Sequence, residues 1–375
     1  MKIILDSQAF DMQQYGGISR YYTEIFSVLS QQKDIRIEIP LGYTHNVYFN
    51  ESILHKNKKS VAALWLYLLE KAGLSIRKKI KKLNRTETKK LLLKQDFDVF
   101  VPTYYDSYFL EDLRNKPFVL TVYDMIHELL PQYFSDASKM AEKKLFLIEK
   151  ATRIIAVSEN TKKDILKFYP HIDESKIDVV YHGSSIKINE NIKNDLPENY
   201  ILYVGSRENY KNFDFLVQAL KEILQQNPEL HLVCAGGKEF SKTEIEFVKS
   251  LNLENQIIQK DFDEEALGSF YKNAKCFVFP SLYEGFGIPV LESMACGCPV
   301  VLGNHSSFPE VAGDAGVYFD INDNKDLTVK INELLQNPAL QNEYATKGLQ
   351  QIQKFNWEDA AKECLNVYKK AITGF

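Results

Sequence analysis

The chain has 375 residues, 45% of them hydrophobic, and 46 basic side chains against 50 acidic ones leave a formal net charge of -4. That length suits two domains of about 150 to 200 residues each, and the charge balance excludes a global basic field that would hold nucleic acid by its phosphates. The opening run MKIILDSQ lacks the apolar core of a secretory signal, no later stretch approaches the ~18 apolar residues of a membrane span, and an odd count of five cysteines favours a reducing, cytoplasmic setting over a disulfide framework.

In chain order, KIILD reads as a first strand and, after the loop QAFDMQQYGG, a helix starts at about Gly17. Residues 56–94 depart from a minimal strand-helix-strand pattern. There the apolar, aromatic run VAALWLYLL precedes a basic run with Arg77, Lys78, Lys79, Lys81, Lys82, Arg85, Lys89 and Lys90, in which Glu87 is the only acid. Such a face, spanning residues 61–90, can lie on an anionic membrane surface or can be a solvated helix packed on its own domain. The runs FDVFV, FVLTV and RIIAV read as further strands with helical stretches between them, the pattern of a parallel sheet covered by helices. Residues 191–199 turn polar and include Pro197. They read as a linker closing a first domain over residues 1–190.

The alternation restarts over residues 197–356: YILYVG, a helix over 212–226, HLVCAG, a helix, NQIIQ, a helix, KCFVFP, a helix through Met294, then PVVLG. The predicted fold is α/β, two Rossmann-like domains facing across a cleft where the carboxyl ends of the strands hold a ligand. A last helical stretch, NWEDAAKECLNVYKKAI, has apolar residues on both sides of its charges. No short repeat or low-complexity tract is present.

The most specific run is FPSLYEGFGIPVLESMACGCPV. An apolar strand ends at Pro280, a loop with Gly285 and Gly287 follows, and a helix begins near Pro289, a residue suited to a first helical turn. Glycines let backbone amides approach a ligand, and a helix start points free amides and partial positive charge at an anion. Glu284 falls in the loop and Glu292 about a turn into the helix, each with acceptor oxygens suited to hydroxyls. The plainer alternative is a capped helix with surface glutamates. Cys296 and Cys298 form a close pair without a second Cys/His cluster, and so read as packing residues and not as metal ligands.

The run EGFGIPVLESMACGCPVV resembles the signature of glycosyltransferase family 4, retaining enzymes of the GT-B fold whose motif is two glutamates separated by seven residues. The resemblance extends along most of the chain. YVGSRENYKNFDFLVQAL is similar to the first strand, loop and helix of the family's nucleotide-sugar donor domain, and GGISRYYTEI to the glycine loop of the amino-terminal acceptor domain. TVYDMIHELLP and IIAVSENTKKDI resemble later first-domain motifs. FNWEDAAKECLNVYKK resembles the terminal helix, here residues 357–375, that crosses back to the first domain.

This resemblance implies roles for matching residues. Lys211 takes the place of the phosphate-binding lysine, offsetting charge on the leaving diphosphate. Its partner arginine is usually found where this chain has Ser206 or Tyr210, so Arg207 is the nearest candidate. Glu284 would contact donor-sugar hydroxyls and Glu292 the ribose. The backbone of Phe286, Gly287, Ile288, Pro289 and Val290 would line the sugar and diphosphate, and Gly16 and Gly17 would meet the diphosphate from the opposite domain. The commoner pattern has a histidine before Asp124, where this chain carries Tyr123; either His127 takes over the sugar contact or this subgroup works without it.

Retaining enzymes of this kind are thought to let the leaving diphosphate oxygen accept the proton of the attacking hydroxyl, which calls for electrostatic support and placement more than for a strong base. No dedicated metal site is visible in the sequence, and no cofactor is expected beyond the nucleotide-sugar itself. Likeness to the subgroup with the YKN motif points to GDP-mannose, a saccharide or lipid-linked saccharide acceptor, and synthesis of a bacterial surface polysaccharide such as lipopolysaccharide. A UDP-sugar transferase, a GT-B phosphorylase, a nucleotide-sugar epimerase and a degenerate sugar-nucleotide-binding subunit are the alternatives. The last would predict loss of Lys211 or Glu284, and both are present.

Overall fold

The computed structural model describes residues 1–55, 71, 76–189 and 195–374. The apolar run at 61–69 and part of the expected linker at 191–199 lie outside them. The chain divides into two compact units, Met1–His182 together with the helix that starts at Trp357, and Gly183–Asn356. The division precedes the boundary read at 190 because the intervening residues are tied to the second unit: Ser269 Oγ donates to the carbonyl of Asn189 at 2.9 Å.

The first unit is built on parallel strands β1 (Lys2–Leu5), β2 (Arg36–Glu38), β3 (Val99–Val101), β4 (Val119–Val122), β5 (Arg153–Ala156) and β6 (Ile177–Val179). They run β2-β1-β3 and β4-β5-β6, and one parallel bridge from Phe100 to Phe118 joins the two sets. Alternate residues point to opposite faces, as the strand period requires. Ile3, Leu5, Val99 and Val101 pack against helix α1 (Gly17–Leu29), and Ile4, Phe100, Leu120 and Val122 pack on the other face. Helix α2 (Arg77–Leu93) buries Ile80, Asn84, Thr88 and Leu92, every fourth residue, and turns most of its basic residues outward. A four-residue helix α3 (Ile126–Leu129) follows β4 and leads to α4 (Ala137–Lys150).

The second unit is a six-stranded parallel sheet of β7 (Asn199–Val204), β8 (Leu230–Ala235), β9 (Ile257–Lys260), β10 (Cys276–Phe279), β11 (Val300–Gly303) and β12 (Gly316–Phe319). Its order is β12-β11-β10-β7-β8-β9, the doubly wound pattern in which the order of the strands reverses between β7 and β10. Helices α5 (Phe213–Gln226), α6 (Lys242–Ser250), α7 (Glu264–Asn273), α8 (Ile288–Ala295) and α9 (Phe308–Ala312) connect the strands. The terminal helix α10 (Trp357–Thr373) buries Trp357, Ala361, Cys364, Leu365 and Tyr368 in the core of the first unit, beside Tyr21, Tyr22 and Phe26 of α1.

The strands β2, β6 and β12 do not stand out in the sequence. RIE and IDV are three residues long with charges inside, and GVYF opens on glycine, so none shows a usable alternation. Among the described residues, no helix is long and apolar enough to cross a membrane.

Candidate functional site

The reversal between β7 and β10 brings two loops together at the carboxyl ends of neighbouring strands, where open α/β sheets bind ligands. Lys211 closes a short turn after β7, and Glu284 lies in the loop after β10. Leu282 N donates to the carbonyl of Tyr210 at 2.8 Å, locking the loops to each other. Across this link Lys211 Nζ reaches Glu284 Oε1 at 2.6 Å, both side chains being largely covered, 18% and 16% exposed. Burial opposes the ammonium, but Glu284 and Tyr210 outweigh it and hold the Lys211 pKa above its ordinary value. Its Nζ also sits 4.9 Å from the Tyr210 ring centre and 5.5 Å from that of Phe279.

The Glu284 loop is held from below by a turn that the sequence reading did not single out. Glu284 N donates to Ser306 Oγ at 3.1 Å; Ser307 Oγ donates to the carbonyls of Glu284 at 3.0 Å and Phe286 at 2.9 Å. Burial keeps the His305 pKa below its ordinary value, and its Nε2 donates to the carbonyl of Ser281 at 3.1 Å. The available signal was two serines ahead of Pro309, a helix-start pattern that says nothing about a loop 22 positions upstream.

Gly287 caps α8 with φ 99° and ψ 59°, backbone angles that a side chain rarely tolerates. This left-handed cap turns the chain from the Glu284 loop into the helix. Not every backbone group assigned from 286 to 290 can donate. Pro289 has no N–H, and Val290 N is already bonded to the Gly287 carbonyl at 2.9 Å, so the amide reading does not extend to those two. Glu292, on α8, is 4% exposed and accepts from Tyr271 OH at 3.2 Å.

Arg207 corrects the expectation of a second cation beside Lys211. Its side chain is 2% exposed, with Nε bonded to Glu244 Oε1 at 2.7 Å. Three of its four remaining donors reach the carbonyls of Gly236 at 3.2 Å, Lys238 at 2.9 Å and Glu239 at 3.1 Å, and the guanidinium lies 4.6 Å from the Phe240 ring centre. A planar fork with five donors is suited to such a clamp. It braces the loop after β8 against α6, where Glu244 also completes a capping box with Ser241.

In the first unit, Gly16 and Gly17 open α1. The place above their amides is taken by the Gln13 side chain, whose Oε1 accepts from Ser19 N at 3.0 Å. A Cβ on Gly16 would come within 2.4 Å of Gln13 Cδ, the far end of a flexible side chain that would have to move. Asp124 follows β4, its Oδ1 accepting from Ile126 N at 3.1 Å. His127 packs on Phe134 with ring centres 4.6 Å apart, and its Nδ1 is covered and has no hydrogen-bond partner among the described residues. Burial, aided by Lys144, wins over Asp124, Glu128 and Asp136 and lowers the His127 pKa. A cavity of about 1050 Å³ runs along β2 and residues 41–45 and touches none of these groups. All five cysteines are buried and free; among the described residues, no group of three or more His, Cys, Asp or Glu could hold a metal ion.

The chain matches Glycosyl transferases group 1 over residues 184–351 and Glycosyltransferase Family 4 over residues 52–186. It is 29% identical over 289 residues to the O-antigen chain mannosyltransferase B of Escherichia coli, an overlap of 73% of this chain and 74% of that protein. Among solved structures, a sucrose-phosphate synthase from Thermosynechococcus elongatus matches with a TM-score of 0.74 at 18% identity, covering 100% of this chain and 99% of the other. HepE of Anabaena, in complex with UDP and glucose, matches with a TM-score of 0.70 at 15% identity, over 98% of this chain and 99% of the other. Two parallel α/β units of the GT-B fold, a Lys211–Glu284 pair at the sheet's reversal point and family matches along both units agree: the chain is a glycosyltransferase and belongs to the group 1, family 4 glycosyltransferases.

Proposed function

We propose that this enzyme transfers a hexosyl group, with GDP-mannose the favoured donor, to a saccharide or lipid-linked saccharide during synthesis of a bacterial surface polysaccharide, with retention at the anomeric carbon. The observation that carries the proposal is the Lys211–Glu284 pair at the ends of β7 and β10. Likeness to an O-antigen mannosyltransferase supports the choice of sugar. HepE, solved with UDP and glucose, supports a UDP-sugar donor as the second reading.

In this reading Lys211 leaves Glu284 and meets the diphosphate as its charge grows, which is electrostatic stabilisation delivered by a preformed group. Glu284 then accepts from donor-sugar hydroxyls, Glu292 from the ribose, and the amides of Phe286, Gly287 and Ile288 line the phosphates. Gly16 and Gly17 would reach the diphosphate once Gln13 swings aside, and Asp124 with His127 would hold the sugar. Arg207 acts on the loop after β8 and not on the phosphates. The diphosphate charge is met by lysine and amides, with no metal assigned.

The test begins with GDP, UDP and dTDP as stabilising ligands, because a nucleotide at 100 times its dissociation constant adds about 2.7 kcal/mol. GDP should raise the melting temperature most. Acceptor-dependent release of GDP from GDP-mannose then identifies a transferase. Lys211→Ala should lower turnover by ~10² to 10³ with a smaller loss of GDP affinity, and Glu284→Gln should impair turnover while leaving GDP binding near the parent's. Full turnover in either variant would overturn the site assignment.

A further inference from the structure

We propose that Lys144 is a positioning residue for the transfer reaction, its buried ammonium straddling helix α3 so that Asp124 and His127 are held in one orientation. The proposal rests on the reading that these two residues contact the donor sugar.

Lys144 comes from α4 and is fully buried. Its Nζ donates to the main-chain oxygen of Asp124 at 2.9 Å and to Glu128 Oε2 at 2.8 Å, and lies 3.7 Å from Asp124 Oδ1. Tyr169 OH donates to the other oxygen of Glu128 at 2.9 Å, and the Tyr105 ring centre lies 5.6 Å from the ammonium. Asp124 and Glu128 bracket His127, so one cation holds the chain on both sides of the imidazole.

This helix cannot hold itself. It has four residues, less than an independent helix needs; its N-cap, Met125, makes no side-chain cap hydrogen bond, and its first amide, Ile126 N, is met by Asp124 Oδ1, from the residue that Lys144 grips. Removing an ammonium from water is costly, and an apolar side chain of similar volume often packs as well or better. What an apolar side chain could not do is bind a main-chain oxygen and a carboxylate together. The cation also works on His127 directly. Asp124, Glu128 and Asp136 favour an imidazolium, whereas burial and Lys144 oppose it and prevail. With Nδ1 covered, a neutral imidazole presents Nε2 to a sugar hydroxyl as a donor or as an acceptor, according to its tautomer.

Lys144→Met alone would strand the Glu128 charge in the interior, so the informative variant is Lys144→Met/Glu128→Gln, which removes both charges. Its donor and nucleotide are those the parent uses in the panel of GDP, UDP and dTDP with their sugar conjugates. The expected result is a melting temperature within a few degrees of the parent's, unchanged affinity for the nucleoside diphosphate, and kcat lower by about 10²-fold, the scale of a misplaced reacting group. Adding His127→Ala should deepen the loss little, because both changes act through one imidazole. Parent-like turnover in the double variant, with His127→Ala impaired, overturns the positioning role. Full activity of His127→Ala overturns the underlying reading and the positioning role together. If the double variant does not fold, Tyr169→Phe, which keeps the ion pair and frees one Glu128 oxygen, should lower kcat several-fold without moving the nucleotide affinity; unchanged kcat then overturns the proposal.

Discussion

Lys211 keeps its charge where burial works against it, and it does so by pairing with the carboxylate that the proposed chemistry also needs. On that reading, donor binding is an exchange of partners: the ammonium trades Glu284 for phosphate oxygens, and Glu284 trades the ammonium for hydroxyls. A bare nucleoside diphosphate completes only half of the exchange. The motif made both residues visible because each follows a strand within its own loop. Arg207 misled for the opposite reason, since its direction is set by the carbonyls of Gly236, Lys238 and Glu239 and by Glu244, some 30 positions or more downstream. Another residue offers a test in solution. Burial raises the carboxyl of Asp11 to about 6, against hydrogen bonds from Asn84 and Ser7, with Asp6 adding to the rise and Lys81 opposing it. An unfolded aspartate titrates near 3.9, so between about pH 4 and 6 the native chain binds the extra proton. Stability from this group is therefore lost as pH rises through that window, by up to about 3 kcal/mol, and is level above it. Asp11→Asn should show a stability advantage over the parent that grows from pH 4 to 6 and then stays constant in urea denaturation. An advantage that does not change with pH would mean that Asp11 titrates normally.

Among the elements, α2 departs furthest from local helix rules. Its first turn carries Arg77, Lys78 and Lys79 and no acid, although cations at a helix start oppose the dipole. Several of its cations are satisfied within the unit: Arg77 donates to the Met12 carbonyl, Lys81 and Arg85 pair with Asp106, and Lys89 pairs with Asp112. Lys78, Lys79 and Lys82 are exposed and make no ion pair among the described residues. The basic face was legible in the sequence, but its division was not, because Asp106 and Asp112 come from beyond β3. If the acceptor is lipid-linked, these three lysines should hold the enzyme on anionic membrane, each worth about 1 kcal/mol at low salt. Lys78→Glu/Lys79→Glu/Lys82→Glu should then weaken binding to phosphatidylserine vesicles by about 10²-fold or more in co-sedimentation. Lys81 is left in place, since removing it would disturb Asp106. A parent that ignores such vesicles, or a variant that binds them equally, ends the membrane reading.

At the scale of the whole molecule, alternation of apolar runs with helical stretches was enough to read two Rossmann-like sheets, because a strand buried on both faces needs an uninterrupted apolar run. Short strands with internal charges, such as β2 and β6, could not be read that way, for their partners supply most of the stabilising contacts. The terminal helix was legible as a helix in the sequence, but its return to the first unit only through family resemblance, since its own pattern shows two apolar sides without naming what covers them. Its packing gives the molecule a testable asymmetry. Tyr368 on α10 is fully buried in the first unit's core with Tyr21, Tyr22 and Phe26, though 186 positions separate it from the last residue of the unit's main segment, His182. Tyr368→Ala should cost about 3–5 kcal/mol, as large-to-small changes of aromatic core residues do, and that loss should fall on the first unit. The second unit's core contains none of these residues, so its own unfolding and its affinity for the nucleoside diphosphate should stay at parent values. In calorimetry the variant should therefore show an early transition that nucleotide moves little, Gly16 and Gly17 being the first-unit groups proposed to reach the diphosphate, and a later one that still rises with nucleotide. If both transitions fall together, or if nucleotide binding is lost with the mutation, the two units unfold as one cooperative block and the helix stabilises more than the core it enters.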